Sequence, residues 1–427
     1  MSRSRPGGRL AVVITVGVAL ILAAYLYQLP EEDPIQRGDI LPPGRWHFQA
    51  SRLGDEVDGE ELARVLSLPY VSGSTLAPGR DGVIRYESER TFDGLNLYVS
   101  GHGPEALLVD MKGHPLHRWR YPFEAAFPDK EPSAETTFFR RAYVYPNGDL
   151  LAMFQGGGII KLDRNSKILW TSDLPSYNHL FVDEAGRILT IAKTARMIPD
   201  LRTEGPILED FIVFLSADGD IERRFSLLES FRASAFAETI HPLPDHADIF
   251  HSNSVVTIDD AVAKSSDLFR SGMLLVSLRD IDTVALIDPV STTVEMAWRG
   301  PWRAQHQPVP LSTGSVLLFD NQGAENGSRV VEFDPDTGEL GWIFPQQAAA
   351  SLSSAEAGSC QRLPNGNTLI TESEMGRAIE ITPDRAVVWE FSSPHRAGEQ
   401  LEMVATLFEV VRLPADAFTF VDSNGTP

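Results

Sequence analysis

Leu107 opens the stretch LLVDMKGHPLHRWRYP (107–122). The same order of parts returns as IIKLDRNSKILWTSDL (159–174), VFLSADGDIERRFSLL (213–228), VALIDPVSTTVEMAWRGP (284–301), VVEFDPDTGELGWIFP (330–345) and AIEITPDRAVVWEFSSP (378–394). Each copy is an apolar run, a polar turn and a second run with an aromatic residue near its end, the pattern of two strands joined by a turn. A complementary half precedes most copies: YPNGDLLAMF at Tyr145, FVDEAGRILTIA at Phe181, VPLSTGSVLLF at Val309 and QRLPNGNTLITE at Gln361, with diverged copies near Asp93-Gly94 and over Ile258–Ser277. Two halves make four strands per repeat, the composition of a propeller blade.

Six copies predict an all-β, six-bladed β-propeller over residues 71–427. Gly148 to Gly186 spans 38 residues, Gly272 to Gly314 spans 42 and Gly314 to Gly366 spans 52, against about 40–50 for a four-stranded blade. The 86 residues from Gly186 to Gly272 exceed this through the segments Glu229–Phe250 and Ala261–Ser271, read as loops over one face. A solenoid or paired sandwiches could use such strands, but aromatic-ended repeats of this length favour a closed ring. LFEVVRL (407–413) is β-prone and can complete the first or the last blade.

Ahead of the repeats, Leu10–Tyr27 is an uncharged apolar run, preceded by Arg3, Arg5 and Arg9 and followed by Glu31, Glu32 and Asp33. A helix needs about 20 such residues to cross a bilayer, and basic flanks stay cytoplasmic. The expected organisation is a cytoplasmic tail (1–9), a transmembrane signal anchor (10–29) and a tether (30–70) with a short helix near Glu60–Leu66. The propeller then lies on the extracytoplasmic side of a bacterial inner membrane. A cleaved signal peptide is the alternative, although the run is longer than a usual signal-peptide core of about 7–15 residues. Either way the domain is exported.

With 37 basic and 59 acidic residues the chain carries a formal charge of −22, which repels nucleic acid, so no nucleic-acid partner is expected. Its one cysteine, Cys360, permits neither an intramolecular disulfide nor a cysteine-based metal cluster. Composition gives no indication of oligomeric state.

Four residues draw attention because they stand where blade strands begin or end. His179 in SYNHLFVDEAG, His251 in FHSNSVVTIDD and His306 in RAQHQPVPLSTG each stand just ahead of an opening strand, in what reads as one register, and Arg279 ends MLLVSLRD. Equivalent positions in successive blades converge on the ring axis, which predicts an imidazole-rich cationic pocket and an anionic substrate group. Three histidines are also the ligand set of catalytic zinc. A guanidinium would repel that ion, however, whereas it matches an oxyanion bidentately, so neither metal nor cofactor is expected. His102, His114, His117, His241, His246 and His395 read as surface or loop residues, and Gln155–Gly158 as a tight turn rather than a phosphate loop.

At these residues the sequence resembles the bacterial arylsulfate sulfotransferases. HSNSV at His251, SLRD at Arg279, QHQP at His306, LLFDNQG from Leu317, SRVVEFD from Ser328 and LPNGNTLI from Leu363 follow that family's order, and the likeness runs from about Tyr145 to Leu413. The resemblance implies a six-bladed propeller that moves a sulfuryl group from an aryl sulfate to a phenol without a nucleotide donor. It implies His306 as the nucleophile, His251 and Arg279 as sulfate-holding residues, and His179 as a further member of the pocket. The chain departs from the family beside His179, where Asn178 and Leu180 replace a second histidine and an acid, and in lacking a disulfide. Two other readings compete: a non-catalytic propeller serving as an envelope interaction module, and a quinoprotein dehydrogenase. The second implies eight blades, a calcium site and tryptophan docking motifs, none of which is read here.

Overall fold

The computed structural model describes residues 44–48, 81–203, 205–325, 327–346, 352–397 and 403–420. The expected tail, the membrane segment 10–29 and the helix near Glu60–Leu66 lie outside them. Among the described residues no helix is long and apolar enough to cross a membrane.

Antiparallel order within the sheets follows the repeats directly. Blade I holds Leu95–Ser100, Glu105–Val109 and Pro115–Arg120; blade II runs Arg141–Val144, Leu150–Phe154, Gly158–Leu162 and Ile168–Ser172. Blade III runs Ser176–Val182, Ile188–Arg196, Ile207–Leu215 and Ile221–Ser226, and blade IV runs Ser252–Thr257, Leu274–Leu278, Thr283–Asp288 and Thr293–Trp298. Blade V runs His306–Pro310, Val316–Ala324, Gly327–Phe333 and Leu340–Phe344, and blade VI runs Ser359–Arg362, Thr368–Glu372, Arg377–Ile381 and Val387–Ser392. The expected six-bladed ring is therefore present.

Blade faces stack on one another, so second strands such as Leu150–Phe154 and Leu274–Leu278 are buried along their whole length. The outer strand Ile221–Ser226 has no buried residue. Each pair of neighbouring blades encloses its own apolar cluster, six in all, and the sixth packs Trp389 and Phe391 of blade VI against Tyr98 and Leu107 of blade I. A solenoid has no such final interface.

Tryptophans on the outer parts of five blades explain the aromatic at the end of five of the six copies, blade III carrying Phe225 instead. The indole N–H donates to a carbonyl of the next blade from Trp119 to Gly148 (2.9 Å), Trp170 to Ala217 (2.9 Å), Trp298 to Pro335 (2.8 Å) and Trp342 to Pro383 (3.3 Å). Trp389 closes the circle on Met111 (2.9 Å). Tryptophans thus do dock blade to blade, contrary to the sequence reading. Blade number remains an argument against the quinoprotein alternative.

Closure uses both ends of the described chain. Leu407–Leu413 becomes the innermost strand of blade I, pairing with Leu95–Ser100, while Gly82–Tyr86 adds a fifth, outer strand to blade VI. Arg412 on the closing strand pairs with Glu380 of blade VI at 2.8 Å, both side chains fully buried. Within the expected tether, Trp46–Phe48 is a strand of a small sheet with Met403–Ala405 and Arg396–Ala397.

The two long segments do not share a face. Leu227–Arg232 begins a connection from the outer strand of blade III to the inner strand of blade IV, whereas Asp260–Ala263 lies between the first two strands of blade IV. In an antiparallel blade those connections leave opposite ends. Only the first borders the site.

Candidate active site

Blades IV and V bring His306, Arg279 and His251 together. His306 opens the inner strand of blade V and is 3% exposed. The buried Gln305 before it donates from Nε2 to the carbonyls of Leu278 (3.2 Å) and Thr283 (2.9 Å), tying the His306 strand to the turn that carries Arg279. A second tie runs from the Ala304 N–H to the Asp282 carboxylate at 2.8 Å.

The protonation of His306 follows from its partners. Asn321 donates both amide hydrogens, to the carbonyls of Ser354 (2.6 Å) and Ala357 (2.7 Å), which turns its Oδ1 toward His306 Nδ1 at 2.7 Å. Only an N–H satisfies that oxygen and the Ala304 carbonyl at 3.1 Å. Nδ1 therefore carries the proton and Nε2 presents a lone pair. Burial first, then the charges of Arg279, Arg140 and His251, push His306 well below the ordinary imidazole value, so it is neutral near pH 7.

Arg279 and His251 beside it are both held by carboxylates. Arg279 Nη1 donates to Asp280 Oδ1 at 2.5 Å, and His251 Nδ1 lies 2.9 Å from Asp248 Oδ2 and 3.9 Å from Asp280 Oδ2. Against the penalty of burial, Lys193 and His251 hold Asp248 below the usual carboxylate range. Where an imidazole-rich cationic pocket is expected, the structure sets a carboxylate against each of these two residues. A surface pocket of about 210 Å³ beside them is lined by His246, Arg279, Asp280, Asp282, Arg303, Ala304 and Gln322, and it reaches Arg279 without reaching His306.

The shared register does not hold. His251 is itself in the left-handed region (φ 44°), His306 precedes a left-handed residue, Gln307 (φ 46°), and His179 follows one, Asn178 (φ 61°). His179 sits inside its strand at a bulge rather than ahead of it. Its Nδ1 accepts the backbone N–H of Val255 (3.3 Å), and burial, Arg141 and Arg140 depress its pKa far below normal. Its ring lies in the field of Arg140 and Arg141 of blade II.

Asn321 lies in the quoted LLFDNQG stretch, and nothing in a sequence says which partner an amide will meet. His102 and His395 are not merely loop residues either. Their rings stack at 3.3 Å and 2° between blades I and VI, with His102 Nε2 2.5 Å from Glu105 Oε1. Parallel ring planes that close cannot both contain one metal ion, so the cluster reads as an inter-blade contact.

Among solved structures, a protein of unknown function from Bacteroides caccae is similar at TM-score 0.50 and 11% identity, over 75% of this chain and 98% of that one. A streptogramin B lyase matches at TM-score 0.43 and 15% identity, over 76% and 85%. At such identities the first likeness speaks for fold alone, and the second carries no argument. No curated protein matches the sequence. The model of the arylsulfotransferase (ASST) family matches residues 142–394, well over half the chain and including His179, His251, Arg279 and His306, and the protein belongs to that family.

Proposed function

We propose that the protein transfers a sulfuryl group from an aryl sulfate to a phenol through a sulfohistidine at His306. The observation that carries this reading is the Asn321–His306 hydrogen bond, which leaves a neutral imidazole with its Nε2 lone pair free. In the first half-reaction Nε2 attacks sulfur, the sulfur–aryl oxygen bond breaks and the phenolate takes a proton from His251. In the second, the acceptor phenol returns a proton to His251 while its oxygen attacks sulfur and the N–S bond breaks. Charge developing on the sulfuryl oxygens is met by Arg279, as in phosphoryl transfer.

Incubation with a chromogenic aryl sulfate and a phenol tests the reading. Transfer with ping-pong kinetics is expected, and it should vanish in His306→Ala with unfolding unchanged. No transfer by the wild-type chain would leave a non-catalytic envelope propeller as the better account.

The proposed setting is the outer side of a bacterial inner membrane. Its support is the uncharged run Leu10–Tyr27 between basic and acidic flanks. Sedimentation of the chain with membranes after alkaline washing checks this.

A further inference from the structure

Arg140 differs from the other deeply buried cations of the ring. Arg141 meets Glu409 at 3.0 Å, Arg412 meets Glu380 at 2.8 Å, and Lys193 meets Asp248. Arg140, next to Arg141 in sequence, is 5% exposed, and its Nη1 has no hydrogen-bond partner among the described residues. Its guanidinium lies 4.6 Å from the ring centre of Phe408 on the closing strand. Glu135 and Glu409 act on it only through space, neither within ion-pair distance. An arginine cannot shed its proton to escape this cost, and an uncompensated buried charge is among the most destabilising features a fold can carry.

Two site histidines feel that charge. Arg141 beside Arg140 donates to the carbonyl of Asn178 (3.1 Å) and pairs with Glu409, which accepts from Gln307 (2.6 Å), so the start of blade II's inner strand stands between the strands of His179 and His306, and the Arg140 charge bears on both imidazoles. Arg279 reaches His306 from blade IV, so the two guanidiniums approach from different blades. Arg279 is neutralised by Asp280; Arg140 is not.

We propose that Arg140 is a binding residue for the tetrahedral oxyanion handled in the channel, so that the resting protein takes up a sulfate ion there. Identifying that anion with the sulfuryl group rests on the function proposed above. Arg140 lies just outside the stretch 142–394 matched by the family. A guanidinium presents two parallel N–H donors to a sulfate edge, and the ion supplies the missing countercharge.

The test is sulfate binding to the full-length chain, by calorimetry and thermal unfolding, at ionic strength held constant with sodium chloride. Wild type should bind and be stabilised. Arg140→Met should bind about tenfold more weakly or worse, yet unfold without sulfate at or above the wild-type temperature because an unpaired charge has gone. Arg140→Lys should retain part of the affinity. No sulfate response in the wild type, or unchanged affinity in Arg140→Met or Arg140→Lys, overturns the assignment. Arg140-dependent sulfate binding without aryl transfer would leave it standing and remove the sulfotransferase reading. Transfer with Arg140-independent sulfate affinity would do the reverse.

Discussion

Asn321 Oδ1 lies 2.7 Å from His306 Nδ1, and because both Asn321 amide hydrogens are bound to the carbonyls of Ser354 and Ala357, the carboxamide cannot flip without losing both. One amide therefore sets the tautomer of one imidazole. Asn321→Leu should lower kcat/KM by up to about ten-thousandfold, the scale on which losing tautomer control disables a catalytic histidine. Asn321→Asp puts a carboxylate against Nδ1 and raises the His306 pKa, so activity should need a higher pH than in the wild type. A pH–rate profile with no shift of its acidic limb would contradict this.

Leaving-group dependence separates the roles of His251 and Arg279. If His251, held by Asp248 at 2.9 Å, protonates the departing phenolate, His251→Gln should slow donors with basic leaving phenols far more than nitrophenyl donors, which need little protonation. Arg279→Lys should slow both alike. The check is kcat/KM across a series of aryl sulfates.

Acid sensitivity follows from the buried histidines. His179 and His306 are both depressed well below 6.5 in the fold, so as pH falls through about 6.5 the unfolded chain takes up protons that the native chain refuses. Stability should hold above that pH and fall below it, by up to about 1.4 kcal/mol per pH unit for each histidine. His179→Gln should shallow the slope measured by denaturant unfolding from pH 7 to 5.

Ring closure can be tested at the pair joining the closing strand to blade VI. Arg412→Met leaves Glu380 buried and unpaired, an expected loss of about 3–5 kcal/mol. Adding Glu380→Gln should restore much of it. Equal stability of single and double variants would contradict the role given to the pair.

The ring was legible in the sequence because blade faces must be apolar and turns polar, so the period survives even where single strands diverge. Tryptophan docking was missed because Trp119, Trp170, Trp298, Trp342 and Trp389 read only as strand-ending aromatics; their acceptors lie a blade away. Histidine identity was legible, but its register was not. One left-handed residue per strand, Asn178, His251 or Gln307, decides where each imidazole turns, and a string of residue types does not display φ. Arg140 escaped notice for a similar reason, since an arginine in FFRRAYV shows neither its burial nor its missing partner.

The central claim meets its most direct test in rapid-quench mass spectrometry of the chain mixed with an aryl sulfate and no acceptor. The account predicts a burst of one phenol per chain and a single sulfuryl adduct on the peptide containing His306, lost on adding a phenol and absent in His306→Ala. An adduct on any other residue, or turnover with no adduct and an undiminished His306→Ala rate, would contradict it.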